Sequence, residues 1–218
     1  MKAAGETALE KLLSLSSEPL AANPAAPPAL LEGFTLGHEL FRMLRRKNGF
    51  YAFESALHVF PLSSRDSMSL EEWNSVALWR EAYGHLTNGL LFFAEDAFQD
   101  QFCLSASGVM RFISETGRTK PLADSIVGWA SMLLRNFGTE TRWTLASAWQ
   151  SVEGPLPPGK RLMPKTPFFL GGAYSVGNLW VGDAVEGMRF KADLAAQTKD
   201  LPDGASVRLV IGKTPTKQ

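Results

Sequence analysis

The spacing of hydrophobic residues predicts two helices at the start of the chain. Leu9, Leu12 and Leu13 stand three and four residues apart, so they share one face of a short helix. A second amphipathic stretch covers residues 36–47 and ends in basic residues, which suit the negative end of a helix dipole. Three prolines in the segment 21–28 predict a turn or an extended linker between the two helices.

The helix predicted after residue 69 has the clearest start signal. Ser69 and Glu72 have the spacing of a capping box, in which each side chain binds a free backbone N–H of the first turn. Apolar residues then recur every three or four positions: Leu70, Trp73, Val76, Trp79, Tyr83 and Leu86. This stripe predicts one continuous amphipathic helix whose aromatic residues lie in the core.

Short apolar runs separated by polar turns predict strands in the middle of the chain. The runs 90–93, 101–104 and 108–114 follow one another closely, as in an antiparallel meander. The segment 50–61 is rich in aromatic residues and is compatible with a strand or a helix. After the last run, the segment 115–120 predicts a tight turn.

A further helix is predicted to begin near residue 125, because either Asp124 or Ser125 can cap it. Its apolar face consists of Ile126, Trp129, Leu133 and Phe137. Beyond this helix, five prolines in the segment 153–167 predict an irregular passage.

Regular structure is predicted to return towards the C-terminal end. The segments 168–172 and 178–182 have the character of short strands or extended passages, and Asp183 with Glu186 can cap a helix that follows them. The apolar face of that helix holds Val185, Met188, Ala192 and Ala195. The pair 203–204 predicts a turn, after which residues 207–211 alternate between apolar and polar side chains as in a strand.

These elements predict an α+β protein, in which an antiparallel β-sheet is flanked by helices and followed by a β/α extension. The chain has 218 residues, of which 45% are hydrophobic and 20% charged, so a substantial core is available. We divide it into an N-terminal helix and Ala/Pro-rich linker (1–34), a central α+β domain (35–150) and a C-terminal extension packed on the same domain (151–218).

Charge and cysteine content restrict the function classes. Basic and acidic residues balance at 22 each, and no basic patch with interleaved aromatic residues suggests direct nucleic-acid binding. Acidic residues in the first segment make it a poor signal peptide, and no apolar run is long enough to predict a membrane span. Cys103 is the only cysteine, which fits a reducing compartment. We therefore expect a cytoplasmic protein.

The segment 154–161, GPLPPGKR, superficially resembles a phosphate-binding loop. Such a loop aims backbone N–H groups at phosphate oxygens, but three of these eight residues are prolines, which have no N–H. Arg161 also replaces the hydroxyl residue that would hold magnesium. The segment therefore predicts no nucleotide site.

The sequence predicts no catalytic, cofactor or metal site. None of the three histidines (His38, His58 and His85) has a recognised metal-binding spacing, so each is expected on the surface or satisfied in the core. Cys103 lies in an apolar strand pattern, which favours an inert core residue over a nucleophile paired with histidine. An enzyme that uses Cys103 or an acidic cluster remains the less favoured hypothesis.

The acidic turn between two of the predicted strands is the strongest candidate site. Glu95, Asp96 and Asp100 lie between two short aromatic runs. They are compatible with a solvated hairpin turn, with a carboxylate metal or acid–base site, or with an edge that binds a basic partner. The sequence favours the solvated turn and keeps partner binding by these three residues as an alternative.

The segments 88–104 and 108–125, together with the helix that holds Trp129, resemble the SUKH superfamily. That group includes Smi/Knr-type fungal cell-wall regulators and bacterial immunity proteins against polymorphic toxins. The resemblance covers about residues 35–150, and the part from Pro167 onward resembles an extension of some bacterial members. Gln99 is a departure, because many relatives have glycine at this position, where a left-handed backbone is easier for glycine.

The resemblance implies an α+β fold with an antiparallel sheet and a non-enzymatic role. It implies an immunity protein that binds and neutralises a cognate toxin domain, which would be a nuclease in one version of this hypothesis. An acidic patch would then speed association with a basic active-site cleft. The alternative is a regulatory scaffold of the Smi/Knr type that binds a cellular protein other than a toxin.

Overall fold

The computed structural model describes the backbone of residues 2–198 and the side chains of residues 8–198. The predicted turn 203–204 and the predicted strand 207–211 lie outside the described residues. The observed architecture is α+β, as predicted: a six-stranded antiparallel sheet, a separate two-stranded sheet and helices packed around them. No helix within residues 2–198 is both long and apolar enough to cross a bilayer.

The large sheet is an antiparallel meander in which each strand pairs with the next one along the chain. Its strands are β1 (Phe50–Ala52), β2 (Leu57–Val59), β3 (Leu91–Asp96), β4 (Gln101–Ser105), β5 (Gly108–Ile113) and β6 (Arg118–Ala123). The three predicted strands correspond to β3, β4 and β5, and the ambiguous segment 50–61 forms the β1–β2 hairpin. The segment 115–120 is not only a turn, because its end begins β6. That exposed edge strand lacks the apolar alternation that would have revealed it.

The helices between residues 2 and 198 include three of the predicted ones with little change. The α-helices are α1 (Lys2–Ser14), α2 (Gly37–Arg46), α3 (Leu70–Trp73), α4 (Glu81–Tyr83), α5 (Ile126–Glu140), α6 (Trp143–Glu153) and α7 (Ala184–Thr198). Short 3-10 helices span Ala29–Leu31, Gly84–Thr87, Phe168–Leu170 and Val176–Asn178. Helices α1, α2 and α5 match their predictions, and Ser125 caps α5 by accepting the N–H of Gly128. Helix α6 was not predicted.

The prediction of a single helix after residue 69 is wrong, because the helix is broken after Trp73. Ser69 and Glu72 form the predicted capping box, but α3 then ends, and a five-residue π-helix (Val76–Arg80) leads into α4. The break follows from Asn74, whose side chain bonds both the N–H and the carbonyl of Phe92 in β3. Trp73 and Trp79 are buried as predicted, whereas Val76 is 62% exposed.

The C-terminal part forms a small sheet and a helix. Strands β7 (Lys160–Pro164) and β8 (Leu179–Asp183) pair antiparallel, so the passage predicted to be irregular contains a strand. The proline in β7 is its last residue, where the lost N–H does little harm. Asp183 accepts the N–H groups of Val185 and Glu186, which confirms the predicted start of α7. The segment 168–172 holds a 3-10 helix, where a short strand or an extended passage was predicted.

Candidate functional site

The tip of the β3–β4 hairpin carries the three acidic residues of the candidate site, and it is buried. Glu95, Asp96 and Asp100 expose only 1%, 0% and 3% of their surface. The expected solvated turn is therefore wrong, because the C-terminal extension covers the tip, and the carbonyl of Ala97 accepts the N–H of Leu162 in β7 at 2.8 Å. A partner does not touch these carboxylates in this conformation, and their role in partner binding stays a prediction.

Glu95 joins the hairpin to strand β7 through a buried ion pair. The Nε–H of Arg161 donates to Oε1 of Glu95 at 2.8 Å, and both side chains are almost fully buried. Nε2 of Gln101 donates to the other carboxylate oxygen at 3.2 Å. Burial opposes ionisation of Glu95, but the attraction of Arg161 and the hydrogen bonds prevail, so its pKa lies below the ordinary value.

His58 is the one candidate histidine that contacts this network. Its Nδ1 lies 3.2 Å from Oε1 of Glu95. Burial lowers the pKa of His58 to about 4, so at neutral pH the ring is uncharged and its Nδ1–H donates to the carboxylate. The ring stacks on Tyr51 with centroids 4.5 Å apart and meets the ring of Phe60 edge-on. His58 is therefore a buried core residue that bonds Glu95 through Nδ1, while its Nε2 has no hydrogen-bond partner within the described part of the chain.

Asp96 and Asp100 share Arg142, and Asp96 also lies near Arg111. Nη2 of Arg142 donates to Oδ2 of Asp100, while its Nη1 lies 3.7 Å from Oδ2 of Asp96. Arg111 lies 3.8 Å from the same Asp96 oxygen and pairs with Glu140, the last residue of α5, at 2.8 Å. The network therefore ties the hairpin tip to β5 and to the start of α6.

The same two carboxylates also organise the backbone of the turn. Oδ1 of Asp96 accepts the N–H of Phe98 at 2.8 Å and the N–H of Asp100 at 3.0 Å. Oδ1 of Asp100 accepts both the N–H and the hydroxyl of Ser114, at 2.9 and 3.0 Å. Because both Oδ1 atoms accept hydrogen bonds inside the fold, these residues act as structural anchors, although Oδ2 of Asp96 accepts none within the described residues.

The surroundings shift the pKa values of the two aspartates in opposite directions. Burial raises the pKa of Asp96 to about 6, with Arg142 and Arg111 opposing this shift and the nearby charge of Asp100 adding to it. Burial also opposes ionisation of Asp100, but the cations Arg142, Lys191 and Arg111 outweigh it and lower the pKa of Asp100. Asp100 is therefore the more readily ionised member of the pair.

Helix α7 docks on the hairpin tip from the other side. Nζ of Lys191 donates to the carbonyl of Phe98, and Nε2 of Gln99 donates to the carbonyl of Ala184. Gln99 adopts the left-handed backbone, with φ of 70°, that glycine tolerates more easily, and its side-chain bond holds it there. A Cβ at Gly187 would overlap the amide of Gln99, so only glycine lets α7 approach this closely.

The cations that neutralise the acidic turn were not predicted. They are Arg111, Arg142, Arg161 and Lys191. Arg111 and Arg142 are isolated basic residues in their segments, whereas Arg161 follows Lys160 and Lys191 stands two residues after Arg189. Such basic residues are common on protein surfaces. The only local signal is that Arg161 precedes the apolar pair Leu162–Met163, which is an unusual setting for a surface arginine.

The remaining candidates for chemistry lie apart from one another. Cys103 is fully buried in β4, and burial raises the pKa of its thiol far above the ordinary value, so it is an uncharged core residue. His38 and His85 are exposed. The segment 154–161 leads into β7, where Lys160 pairs with Asp183 at 3.4 Å. Among the described residues, no three His, Cys, Asp or Glu side chains gather so that they could hold a metal ion.

A groove of about 510 Å³ lies beside the buried network. It is lined by Gly138 and Thr139 of α5, by Arg142, Thr144, Leu145 and Ala148 at or within α6, and by Tyr174 of the C-terminal extension. Tyr174 is 62% exposed, and its ring stacks on Phe168 with centroids 4.1 Å apart. Tyr174 is therefore the residue by which the extension contributes to the lining of the groove.

The outer face of α6 next to this groove carries no charged side chain. It presents Thr144, Leu145, Ala148 and Val152, and Val152 is 70% exposed. The solvent-facing side of a surface helix is normally charged or polar. Depletion of charge and enrichment of tyrosine are typical of the centre of a protein–protein interface. This face, with the groove and Tyr174, is the candidate functional surface, which we call the α6 surface.

No known protein-family profile matches this chain, and no curated protein sequence does. Among solved structures, the chain is similar to the crystal structure of Atu4351 from Agrobacterium tumefaciens, with a TM-score of 0.57. The similarity covers 84% of this chain and 87% of that chain, and 12% of the residues are identical. A likeness at this identity concerns the fold alone. It therefore agrees with the α+β architecture, while the resemblance to the SUKH superfamily stays a prediction.

Proposed function

We propose that this chain is a non-enzymatic protein-binding module that acts in the cytoplasm as an immunity protein, binding and neutralising a cognate bacterial toxin. The resemblance of residues 35–150 to the SUKH superfamily supplies the partner class. The observation that carries the proposal is the contrast between two regions. The reactive side chains are bonded inside the fold, whereas the exposed α6 surface has the composition of an interface.

The internal use of the acidic residues supports a binding role over a catalytic one. Glu95 and Asp100 hold structural arginines, and Cys103 is an uncharged core residue. A general base or a nucleophile needs access to substrate and a pKa suited to its task. These groups instead support the framework on which the α6 surface is built.

The burial of the acidic turn changes how partner recognition would work. An exposed acidic patch would have steered the protein towards a basic cleft, but buried and neutralised carboxylates project little field into solvent. Recognition would then depend on apolar contact at the α6 surface, where large exposed side chains such as Tyr174 serve as anchors. A nuclease remains one possible toxin, and this mode of binding does not require a basic one.

A growth-rescue assay tests the proposed function. A candidate toxin domain from the same genome would be expressed alone, with this chain, and with the variant Trp129→Ala, which is expected to unfold because Trp129 is fully buried, as a negative control. Rescue by the intact chain, together with recovery of a stoichiometric complex, is the expected result. A stoichiometric cellular partner without any rescue would favour the regulatory scaffold, and turnover of a substrate by the purified chain would contradict both.

A further inference from the structure

Strand β8 has one edge with which no described residue pairs, because β7 lies on its other side. The carbonyl of Asn178, just before β8, accepts the N–H of Lys165 across the ladder. Just after β8, Ala184 donates its N–H to Gly159 in the same way. Alternate residues of an antiparallel strand face the same neighbour, so the residues in between point their backbone groups away from β7. These are Leu179, Val181 and Asp183.

The centre of this outer edge is Val181. Its register partner in β7, Leu162, likewise turns its N–H away from the ladder, towards the carbonyl of Ala97. The N–H and carbonyl of Val181 have no hydrogen-bond partner between residues 2 and 198. An uncovered edge of this kind is a template for a further strand, and native proteins normally cover or block it.

We propose that the C-terminal segment of this chain covers the edge, with residues 207–211 added to β8 as a parallel third strand of the small sheet. This inference is independent of the proposed function, because it concerns how the chain completes its own sheet. It is supported by the outward backbone groups of β8, by the connection that α7 provides and by the pattern of side chains in the segment.

Helix α7 provides the connection that a parallel strand needs. It follows β8 directly and contacts both strands of the small sheet. Parallel neighbours are joined by a crossover of a dozen or more residues, usually through a helix. Strand β8, the 15-residue α7 and residues 207–211 therefore have the order of a β-α-β unit with a right-handed crossover. Residues 199–206 connect α7 to the segment and reach about 26 Å when extended.

The side chains of the segment match the two faces of β8. Its apolar residues at every second position are Val207, Leu209 and Ile211. On the face of Leu179, which is buried in an apolar cluster with Phe98, they would extend that cluster. Arg208 then lies on the face of Trp180, whose side chain is 46% exposed and can stack against a guanidinium group.

Amide hydrogen exchange of the purified full chain, resolved by NMR, tests the inference. The N–H groups of Trp180 and Gly182 point towards β7 and serve as the reference within the same strand. We expect the amide of Val181 to exchange about 100-fold or more slowly than in an unfolded peptide, because the added strand accepts its N–H.

Proline variants identify the segment that protects Val181. Neighbouring residues of a strand point their N–H groups to opposite sides, so either Leu209 or Val210 directs its N–H at β8. Proline has no N–H, so Leu209→Pro or Val210→Pro should speed exchange of the Val181 amide about tenfold or more. Lys217→Pro, beyond the predicted strand, is the matched control and should leave the rate unchanged. Continued protection of Trp180 shows that each variant is folded.

Three results would overturn the inference. An amide of Val181 that exchanges at the unfolded rate in the full chain would show an open edge, ready for a strand of a partner protein. Protection that survives both central prolines would show that another segment covers β8. Protection that is lost on dilution, together with a fall in molecular mass by light scattering, would assign the edge to a second copy of the chain. The growth-rescue assay tests the proposed function separately.

Discussion

A buried carboxylate requires a partner charge, and Glu95 meets this requirement with a single arginine. Removal of two charges from water costs free energy, and most of their attraction offsets that penalty. The pair is consequently more important for the position of strand β7 than for net stability. Removal of only one of the two residues lowers the stability of the fold, because the remaining charge then has no partner.

We expect Glu95→Ala to lower the free energy of unfolding by about 3–5 kcal/mol, because Arg161 is left buried and unpaired. Urea denaturation at pH 7 measures the change. The double variant Glu95→Leu with Arg161→Met should recover much of the loss, since neither charge then remains. Glu10→Ala, which removes an exposed pair with Arg46, serves as the control and should change little. Equal effects of the two single variants would show that the buried pair is unimportant.

His58 and Asp96 make stability depend on pH with opposite signs. The pKa of His58 in the fold is about 4, below its ordinary 6.5, so between these values the unfolded chain binds the proton first. Acidification through that window therefore destabilises the fold. The pKa of Asp96 in the fold is about 6, above its ordinary 3.8, so acidification from pH 6 to 4 stabilises the fold through this group.

Replacing either residue should remove its own contribution to the pH dependence of stability. Asparagine at position 58 retains a donor for Glu95 but does not titrate. Between pH 7 and pH 4.5, the free energy of unfolding of His58→Asn should therefore fall by about 2–3 kcal/mol less than that of the wild type. Over the same pH range, the free energy of unfolding of Asp96→Asn should fall by more than that of the wild type. Unfolding free energies at both pH values check this, and parallel curves for all three proteins would contradict the assignment.

The contact between the β3–β4 hairpin and helix α7 depends on two backbone positions. Gln99 holds a left-handed conformation at the tip, and Gly187 leaves room for its amide in the facing turn of α7. The hydrogen bond from Gln99 to Ala184 then fixes the start of the helix against the hairpin. A glycine within a helix normally weakens it, so its presence here is explained by the close approach.

The variant Gly187→Ala tests this contact. Alanine favours a helix over glycine by up to about 1 kcal/mol, so the change would stabilise α7 if nothing faced it. Because the new methyl group would displace the buried amide of Gln99, we instead expect a loss of about 1–3 kcal/mol. Adding Gln99→Gly should restore stability, since glycine adopts the same φ without a side chain. A raised Tm for Gly187→Ala alone would refute this explanation.

Buried charged side chains join the C-terminal extension to the central part of the chain. Arg161 of β7 and Lys191 of α7 both bond to the β3–β4 hairpin, and Tyr174 closes the groove against α6. The extension also covers Phe98, whose ring meets that of Phe168 with centroids 5.7 Å apart. The central part would therefore expose unpaired charges and an apolar surface without it.

A chain that ends at residue 154 should not fold cooperatively. It would remove the ion pair of Glu95 with Arg161 and would uncover the hairpin tip, so apolar surface such as the ring of Phe98 would face water. Near-ultraviolet circular dichroism and urea titration of the truncated chain measure this against the full chain. A sharp transition with native-like tertiary signal would show that residues 35–150 form an independent domain.

Local patterns were sufficient for much of the fold. The apolar faces of α1, α2 and α5, the capping box at Ser69 and the strands β3 to β5 arise from interactions between neighbouring residues, which a periodic sequence displays directly. The errors occurred where a distant contact overrules the local pattern. Asn74 ends α3 by bonding to β3, and β7 forms in a proline-rich segment because it pairs with β8 and the hairpin.

The acidic turn shows most clearly the difference between what local patterns predict and what distant contacts decide. Its strands and its position at a hairpin follow from alternating side chains and turn residues, so a single chain segment is enough to predict them. Its burial depends on Arg161, 66 residues away from Glu95, and on Lys191, 93 residues away from Phe98. Whether a charge faces water or another charge is a property of the assembled fold, because the free energy of ionisation depends on everything packed around it.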